Sequence, residues 1–189
     1  LREAGPYIEE FRGKTFVILL SDFDNTTSTL SRQIDDLVLL NALGIKLILI
    51  QNTTYSTKSH LSNIQVESRQ QFNRQITTHA LLSKIQDVSS VLRHRFSGLF
   101  MGAQLRTKGR SILINGNFVS AKPLGIRHGI DYQFTGTIRR INEAAIKYQL
   151  QSDTILYIDH LAHSPTGQLY NLQCEELAAK MAIQLSVDK

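Results

Sequence analysis

Two carboxylates, Asp22 and Asp24, stand directly after the apolar run Thr15 to Leu20, in the stretch FVILLSDFDNTT. In open α/β sheets, ligands and reacting groups collect at the carboxyl ends of the strands. Two aspartates at this spacing could serve as nucleophile and acid/base in phosphate-ester hydrolysis, with a Mg²⁺ ion held between further carboxylates. Phosphatase chemistry is therefore one hypothesis for this turn.

The order of an apolar strand followed by D-x-D-x-T resembles the opening motif of the haloacid-dehalogenase-like phosphatases. Such a site also needs a hydroxyl and a further carboxylate, which Thr53 and Asp159 could supply because each follows a later apolar run. No second carboxylate accompanies Asp159 in the stretch IDHLAH, so an acidic metal-binding loop is missing. The phosphatase, with Asp22, Asp24, Thr53 and Asp159, is kept as the alternative hypothesis.

Asp159, His160 and His163 are residue types that also bind metals. A proline and a glycine just after them place this segment in a turn, and the next helix brings no histidine. We therefore expect a polar loop and no metal site. Cys174 falls in the first turn of an amphipathic helix, where we expect a small, semi-buried side chain and not a nucleophile.

Glycine-rich turns are the usual phosphate-binding device of α/β proteins. The turn after the first strand holds Ser21 and Asp22, and the turn after the second holds Gln51, Asn52 and Thr53, with no glycine in either. Side chains at these positions obstruct the close approach of a phosphate to the backbone. Nucleotide binding at these turns is not expected.

The elements that would position these groups begin with a strand–helix–strand unit. Thr15 to Leu20 and Lys46 to Ile50 are apolar runs, and Ser28 to Leu43 between them carries apolar residues at helical spacing up to Gly44. Two buried strands joined by one helix form a right-handed βαβ unit, which implies a parallel sheet covered by helices. The predicted fold is a three-layer α/β/α sandwich with a mainly parallel sheet.

The rest of the chain continues this pattern and interrupts it once. Short β-like runs separated by glycines and a proline predict hairpins at an edge or one end of the sheet, and we predict one domain over residues 1–189. The predicted helices are Ile76 to Phe96, Asn142 to Leu150 and Cys174 to Leu185; the predicted strand is Thr154 to Ile158; the hairpin runs are Ser111 to Asn115, Asn117 to Lys122 and Tyr132 to Ile138.

The composition is that of an ordinary globular protein, with 42% hydrophobic and 20% charged residues in 189. The net charge is +5, but the basic residues are scattered and lack interleaved aromatics, so no nucleic-acid partner is expected. The apolar runs are far shorter than the roughly 18 to 20 residues that a membrane span requires. A single cysteine and the polar amino end predict a cytoplasmic protein.

Four stretches carry a more extensive resemblance, in order and over nearly the whole chain: PYIEEFRGKTFVI, LLNALGIKLILI, GNFVSAKPLGIRHGIDYQFTGTIRRINEAAIKYQL and PTGQLYNLQCEELAAKMAIQL. Together they resemble the amino-terminal, amino-acid-kinase-like domain of bacterial N-acetylglutamate synthase. The resemblance implies the acetylglutamate-kinase fold, with about the first two thirds of that domain present. It overrides the shorter phosphatase motif.

In that family an acetyltransferase domain follows and moves an acetyl group from acetyl-CoA to L-glutamate, the first step of arginine biosynthesis. The kinase-like domain binds L-arginine as an effector and contributes to a homo-oligomer. The acetyltransferase domain is absent from this chain, so the resemblance implies a regulatory or assembly module with no cofactor and no catalytic residue of its own. A degenerate, stand-alone oligomerisation module is a further alternative.

The resemblance also assigns individual positions. Tyr7 matches an aromatic residue near the arginine effector site. Lys14, Asn171 and Glu175 match vestigial substrate-pocket positions of the kinase-like domain, and the glycines that similar proteins carry after the first two strands are replaced here. Asn171 and Glu175 could alternatively cap the helix that follows them.

Overall fold

The computed structural model describes residues 9–20, 27–54, 56–57 and 69–189. The strands are β1 Thr15–Leu20, β2 Lys46–Gln51, β3 Arg69–Gln71, β4 Arg74–Ile76, β5 Ile112–Ile114, β6 Val119–Pro123, β7 Ile126–Arg127, β8 Ile130–Asp131, β9 Gly136–Ile141, β10 Thr154–Ile158, β11 Leu161–His163 and β12 Leu169–Asn171. The helices are α1 Thr27–Ala42, α2 His79–Thr107, α3 Glu143–Gln149 and α4 Cys174–Leu185.

The central sheet contains four strands in the order β1-β2-β10-β5, and all its pairs are parallel. Its two middle strands, β2 and β10, are apolar on both faces, as a sheet covered by helices on both sides requires. One face of β2 packs, through Ile48 and Ile50, into a cluster with Leu177 and Met181 of α4. The predicted three-layer arrangement and parallel sheet are confirmed.

The opposite face of the sheet packs against the long helices α1 and α2. Leu47 and Leu49 of β2 join Phe96 and Phe100 of α2 in a second buried cluster. The two faces alternate along the strand because successive side chains of a strand point in opposite directions. The long apolar runs of the sequence are thus explained by two separate hydrophobic clusters, one on each side of the same sheet.

Helix α2 differs from the prediction at both ends. Ile76 lies in strand β4, and the helix begins at His79, where the Thr78 side chain accepts a hydrogen bond from the Leu81 N–H. The helix has 29 residues in all and continues past Phe96 to Thr107, because Phe100 and Ala103 also pack in the buried cluster on the sheet. Within the described ranges, no helix is long and apolar enough to cross a membrane.

Antiparallel hairpins decorate the sheet, as predicted, but their boundaries differ. The run Ser111 to Asn115, predicted as part of a hairpin, instead contains β5, which pairs in parallel with β10 as an outer strand of the central sheet. The predicted strand Tyr132 to Ile138 is wrong in its first half, because Tyr132 is a buried residue between β8 and β9. The segment predicted as a polar loop after β10 forms the hairpin β11–β12, whose turn includes Gly167 with φ +87°. The hairpins β3–β4 and β11–β12 both contribute to the carboxyl end of the sheet, where the site described next lies.

Candidate ligand-binding site

A cavity of about 210 Å³ lies beyond the carboxyl ends of β2 and β10. Thr53 and Thr57 line it from the segment after β2, and Arg74 lines it from the hairpin β3–β4. His160, directly after β10, and the residues that lead into α4 complete the wall. The cavity therefore occupies the edge at which an open α/β sheet presents its ligand-binding groups.

Several polar side chains next to the cavity contact one another in series. Ser89 Oγ donates a hydrogen bond to Asp159 Oδ2, and the Leu161 N–H donates to Asp159 Oδ1 at 3.0 Å. His160 Nε2 lies 3.1 Å from Thr53 Oγ1, within the buried interior. His160 Nδ1 is 3.1 Å from Asp159 Oδ1 but has no well-aligned hydrogen bond, so this contact is electrostatic. Thr53 and Asp159 are thereby linked through His160.

Asp159 is ionised in this setting. Burial opposes its negative charge, but the neighbouring His160 and the hydrogen bonds from Ser89 and the Leu161 N–H outweigh burial and lower its pKa to about 2. The cost of burying a carboxylate is offset only when such donors surround it. Asp159 is therefore a fixed negative charge behind the cavity wall.

Asn171 is held at the end of β12 by a buried amide–hydroxyl network. Its Nδ2 donates to Thr77 Oγ1 at 3.1 Å and to Gln75 Oε1 at 3.2 Å. Thr135 Oγ1 lies 3.0 Å from Thr77 Oγ1 and joins the same network. The N-cap of α4 is Gln173, so Asn171 does not cap that helix. The amide instead fixes the hairpin β3–β4 against β12 and so shapes the cavity.

Cys174 opens helix α4 at the cavity wall. It is buried, and its Sγ lies 3.6 Å from the Gln51 carbonyl oxygen. Burial, together with the charges of Glu175 and Asp159, raises the pKa of this thiol to about 12. Because the thiolate is the nucleophilic form of cysteine, the structure supports the expectation of an inert thiol.

Arg74 has two different environments within one guanidinium group. Its Nη2 lies 2.6 Å from Glu176 Oε2, and Glu176 Oε1 is also 2.7 Å from Lys180 Nζ. Burial works against the charge of Glu176, but Lys180 and Arg74 lower its pKa overall. The other nitrogen, Nη1, is buried without a hydrogen-bond partner, as is Thr57 Oγ1. Buried donors of this kind cost roughly 1 to 3 kcal/mol each when left unpaired.

The structure brings four of the predicted site residues to one edge of the sheet. Thr53, Asn171 and Glu175 line the cavity. Asp159 does not line it but lies next to His160, which does. Lys14 lies at the amino end of β1, at the opposite edge, where its Nζ is 3.0 Å from Asp188 Oδ1. The structure does not bring Lys14 to the cavity.

Three predicted residues, Tyr7, Asp22 and Asp24, lie outside the described residues, and their roles stay predictions. Among the residues that the structure describes, no group of three or more His, Cys, Asp or Glu side chains could hold a metal ion. His163 lies exposed on β11, and Asp159 is engaged with Ser89 and the Leu161 N–H.

Sequence reasoning missed Arg74 and Thr57 and considered His160 only as a metal ligand. The sequence patterns predict no helix or strand at Arg74. In the structure a turn at Phe72 and Asn73, with φ of 49° and 58°, defines the hairpin that carries it. Asparagine tolerates this left-handed conformation better than most residues, so Asn73 was the available signal for a turn. Thr57 offers no such signal, because only its burial without a partner singles it out.

No protein-family model matches the chain. Curated proteins, in contrast, include relatives that match the chain over its whole length. An amino-acid acetyltransferase of Pasteurella multocida (strain Pm70) is 37% identical over 188 residues, which cover 100% of this chain and 42% of the relative. An amino-acid acetyltransferase of Ectopseudomonas mendocina (strain ymp) is 34% identical over 192 residues, covering 100% of this chain and 44% of the relative. The chain thus spans less than half the length of these relatives.

Solved structures show the same relationship. N-acetylglutamate synthase from Neisseria gonorrhoeae, complexed with coenzyme A and N-acetyl-glutamate, matches with a TM-score of 0.90 and 29% identity over 99% of this chain and 43% of that one. The same enzyme complexed with coenzyme A and L-arginine matches with a TM-score of 0.89 and 28% identity, over 99% of this chain and 45% of that one. The chain is homologous to N-acetylglutamate synthases.

A more distant structure shares the fold alone. Carbamate kinase from Giardia lamblia bound to AMP-PNP has a TM-score of 0.61 and 11% identity, over 93% of this chain and 69% of that one. The mainly parallel sheet between two helical layers is therefore of the amino-acid-kinase type, as predicted.

Proposed function

We propose that this chain is the amino-terminal part of an amino-acid-kinase-like domain in an N-acetylglutamate synthase, where it regulates or assembles the enzyme and catalyses no reaction itself. The observation that carries this proposal is the likeness to the N. gonorrhoeae synthase, with a TM-score of 0.90 over 99% of the chain. The amino-acid acetyltransferase relatives, which align with the chain from end to end, support it. On this proposal residues 1–189 form a single, partial domain.

The proposed parent enzyme transfers an acetyl group from acetyl-CoA to L-glutamate, in the cytoplasm, as the first step of arginine biosynthesis. The N. gonorrhoeae synthase was solved with coenzyme A and N-acetyl-glutamate, which are the products of that transfer. Acetyl-CoA would be a substrate of the acetyltransferase domain, and this chain would bind no cofactor of its own.

The geometry of the turn after β2 supports a role without phosphoryl transfer for this chain. Thr53 fills that turn with a buried side chain bonded to His160. A phosphate at this turn would have to displace it, and the ionised Asp159 stands behind His160. Lys14, the lysine that could otherwise meet a phosphate, lies at the other edge of the sheet.

We further propose that L-arginine is the effector of the parent enzyme, which we expect to be a homo-oligomer. The complex of the N. gonorrhoeae synthase with L-arginine supports this assignment. Tyr7 is the residue of this chain that we propose to lie near the effector.

The test is an acetyl-transfer assay on the longest native reading frame that contains the chain, with release of the coenzyme A thiol as the readout. We expect acetylation of L-glutamate that L-arginine alters and D-arginine does not, and no transfer by the 189-residue chain alone. A reading frame that transfers no acetyl group would overturn the proposal in favour of a stand-alone module.

The phosphatase alternative has its own assay. If the chain hydrolyses p-nitrophenyl phosphate with Mg²⁺, and Asp22→Asn abolishes that activity, the regulatory proposal fails for this chain. We expect no such hydrolysis, with Asp36→Asn, an aspartate on helix α1, as the matched control.

A further inference from the structure

A second cavity lies at the carboxyl ends of β5 and β10, against helix α2. Its volume is about 390 Å³, and no residue lines both this cavity and the one described above. Cavities that bind small organic molecules usually measure roughly 300 to 1,000 Å³, and only the second of these two falls in that range. It is therefore a separate candidate for a ligand site.

Hydrogen bonds between its walls fix the shape of the second cavity. Ser89 of α2 is only 2% exposed, and its hydroxyl donates to Asp159, which joins the helix to the end of β10. Asn115, in the loop after β5, donates through Nδ2 to the Tyr157 carbonyl oxygen at 2.9 Å. Ser89, Asp159 and Asn115 all line the cavity. The helix and the loop are thus both held to β10, and the cavity is preformed.

Donor groups from three different segments line the second cavity without a partner in the protein. Arg93 of α2 is half-buried, and its guanidinium forms no ion pair or hydrogen bond with another residue that the structure describes. The side chains of Asn117, after β5, and His163, on β11, also form none within the described part of the chain. Each of these groups can donate a hydrogen bond to an acceptor in the cavity.

The charges at the second cavity favour an anion as the ligand. Asp159 lines it, but its carboxylate already faces His160. The same carboxylate accepts hydrogen bonds from Ser89 and from the Leu161 N–H, so a cation would have to compete with these donors. The guanidinium of Arg93, in contrast, is a positive charge that no described carboxylate pairs with. An acceptor group with negative charge therefore fits the unpaired groups best.

We propose that the second cavity binds a small organic phosphate. The phosphate group accepts hydrogen bonds from Arg93, Asn117 and His163, and the organic part packs on Leu161 and Leu169 of the same wall. A phosphate group presents three acceptor oxygen atoms in different directions, as donors on three segments require, whereas a planar carboxylate presents two. This site does not depend on acetyl transfer or on arginine regulation, so it goes beyond the proposed function.

The ligand test compares three matched probes by isothermal titration with the longest native reading frame, in the absence of acetyl-CoA. Phenylphosphonate carries a ring and a tetrahedral anion that no phosphatase releases as phosphate ester, benzoate carries the same ring and a planar anion, and inorganic phosphate lacks the ring. We expect phenylphosphonate to bind at least about tenfold more tightly than either of the others, since each loses a charged hydrogen bond or the apolar contact.

Every other result of this titration contradicts the proposal. Equal binding of benzoate would mean that the site does not select three acceptor oxygen atoms. Equal binding of inorganic phosphate would mean that Leu161 and Leu169 contact no organic part. If none of the three probes binds, solvent alone fills the second cavity.

The protein test uses Arg93→Met with Arg110→Met as its matched control. Both variants remove one positive charge, but only Arg93 lines the cavity, and Arg110 is exposed beyond the end of α2. We expect Arg93→Met to weaken phenylphosphonate binding by about tenfold to a hundredfold and Arg110→Met to leave it unchanged. Equal loss in the two variants would assign the binding to the net positive charge of the protein and overturn the site.

Asn117→Ala and His163→Ala separate ligand binding from folding. Both side chains are exposed and have no partner among the described residues, so we expect an unchanged melting temperature without ligand. Each variant should weaken the binding of phenylphosphonate more than that of benzoate. Unchanged phenylphosphonate binding in both variants would overturn the placement of the phosphate group. Arginine-sensitive acetyl transfer in that same preparation would leave the proposed function standing.

Discussion

The charged residues at the two ends of the central sheet have opposite environments. The amino edge is the side at which the parallel strands begin, and the carboxyl edge is the side at which they end. At the amino edge, Lys14 and Asp188 form a 3.0 Å ion pair with side chains 48% and 37% exposed, and Asp188 also accepts a hydrogen bond from the Thr15 N–H at 3.0 Å. At the carboxyl edge, Asp159 and His160 are largely buried, and Arg74 keeps a donor without a partner. Bulk water reaches the charged groups at the first edge, whereas the buried groups at the second depend on partners in the protein, on a ligand or on ordered water.

This contrast shows where a functional site can be recognised without a bound ligand. Exposed ion pairs are screened by solvent and report little about function. Buried polar groups in native proteins are nearly always hydrogen-bonded. One that has no partner in the protein therefore marks a place where a ligand or an ordered water molecule is expected. If the two edges differ in solution as they do in the structure, variants at the carboxyl edge have larger effects than variants at the amino edge.

The largest expected effect is on thiol reactivity. A pKa raised from 9.0 to about 12 leaves Cys174 with about a thousandfold less thiolate at pH 8. We expect folded protein to react with a disulfide reagent at least that much more slowly than unfolded protein, and a Lys14→Cys thiol at the amino edge to react at the rate of an exposed cysteine. Rapid labelling of Cys174 in the native state would mean that the carboxyl edge is open to solvent.

The second effect is on stability and its pH dependence. The pKa of Asp159 is lowered from 3.8 to about 2, so this group stabilises the fold above about pH 4 and loses that contribution as the pH falls toward 2. We expect Asp159→Asn to reduce the free energy of unfolding at pH 7 by about 2 kcal/mol, measured by urea denaturation.

The Asp159→Asn deficit should shrink as the pH falls from about 4 to 2 and should persist at high salt. Asp188→Asn is the matched variant at the amino edge, because its carboxyl also has a lowered pKa, owing first to the Thr15 N–H and then to Lys14. Its smaller effect should vanish in salt, since solvent screens it. Equal salt sensitivity of both variants would remove the contrast between the edges.

A smaller effect is expected at Thr53. Its hydroxyl is 3.1 Å from His160 Nε2, so Thr53→Val leaves a buried ring nitrogen without its partner. We expect a loss of about 1 to 2 kcal/mol in the free energy of unfolding. Thr54→Val, an exposed neighbour, is the control and should change little. A neutral Thr53→Val variant would show that water replaces the hydroxyl.

The smallest effect is expected at Lys14. Lys14→Met removes an exposed ion pair and should not change the melting temperature resolvably. Calorimetry provides the measurement. A fall in melting temperature as large as that of Asp159→Asn would contradict the difference between the two edges.

Much of the fold could be predicted because it is encoded in local apolar patterns. The strands β1, β2 and β10 were predicted to within one residue of their observed bounds. The hairpin β3–β4 was missed, because its three-residue strands are too short to show a period. Helix α2 was truncated at Phe96, since its continuation is supported by packing against the sheet and not by a strong apolar stripe.

The residues of the candidate site were likewise predicted only in part. Thr53, Asn171 and Glu175 were singled out from their positions after apolar runs or from family resemblance, and the structure places all three at the cavity. Arg74 and Thr57 were not, because no local pattern distinguishes a threonine that lacks a partner from one that has one. The partner of Thr53, His160, lies 107 residues away in the chain.

The parallel sheet and its two helical layers can thus be predicted from the amino-acid sequence, as can the polar residues at the ends of the strands, since these depend on neighbours a few positions apart. Which polar groups meet, and which remain unpaired, depends on the tertiary fold. The reason is that hydrogen bonding at the carboxyl edge joins segments distant in the chain, such as Asn171 and Thr77, and burial there removes the water that would otherwise satisfy every group.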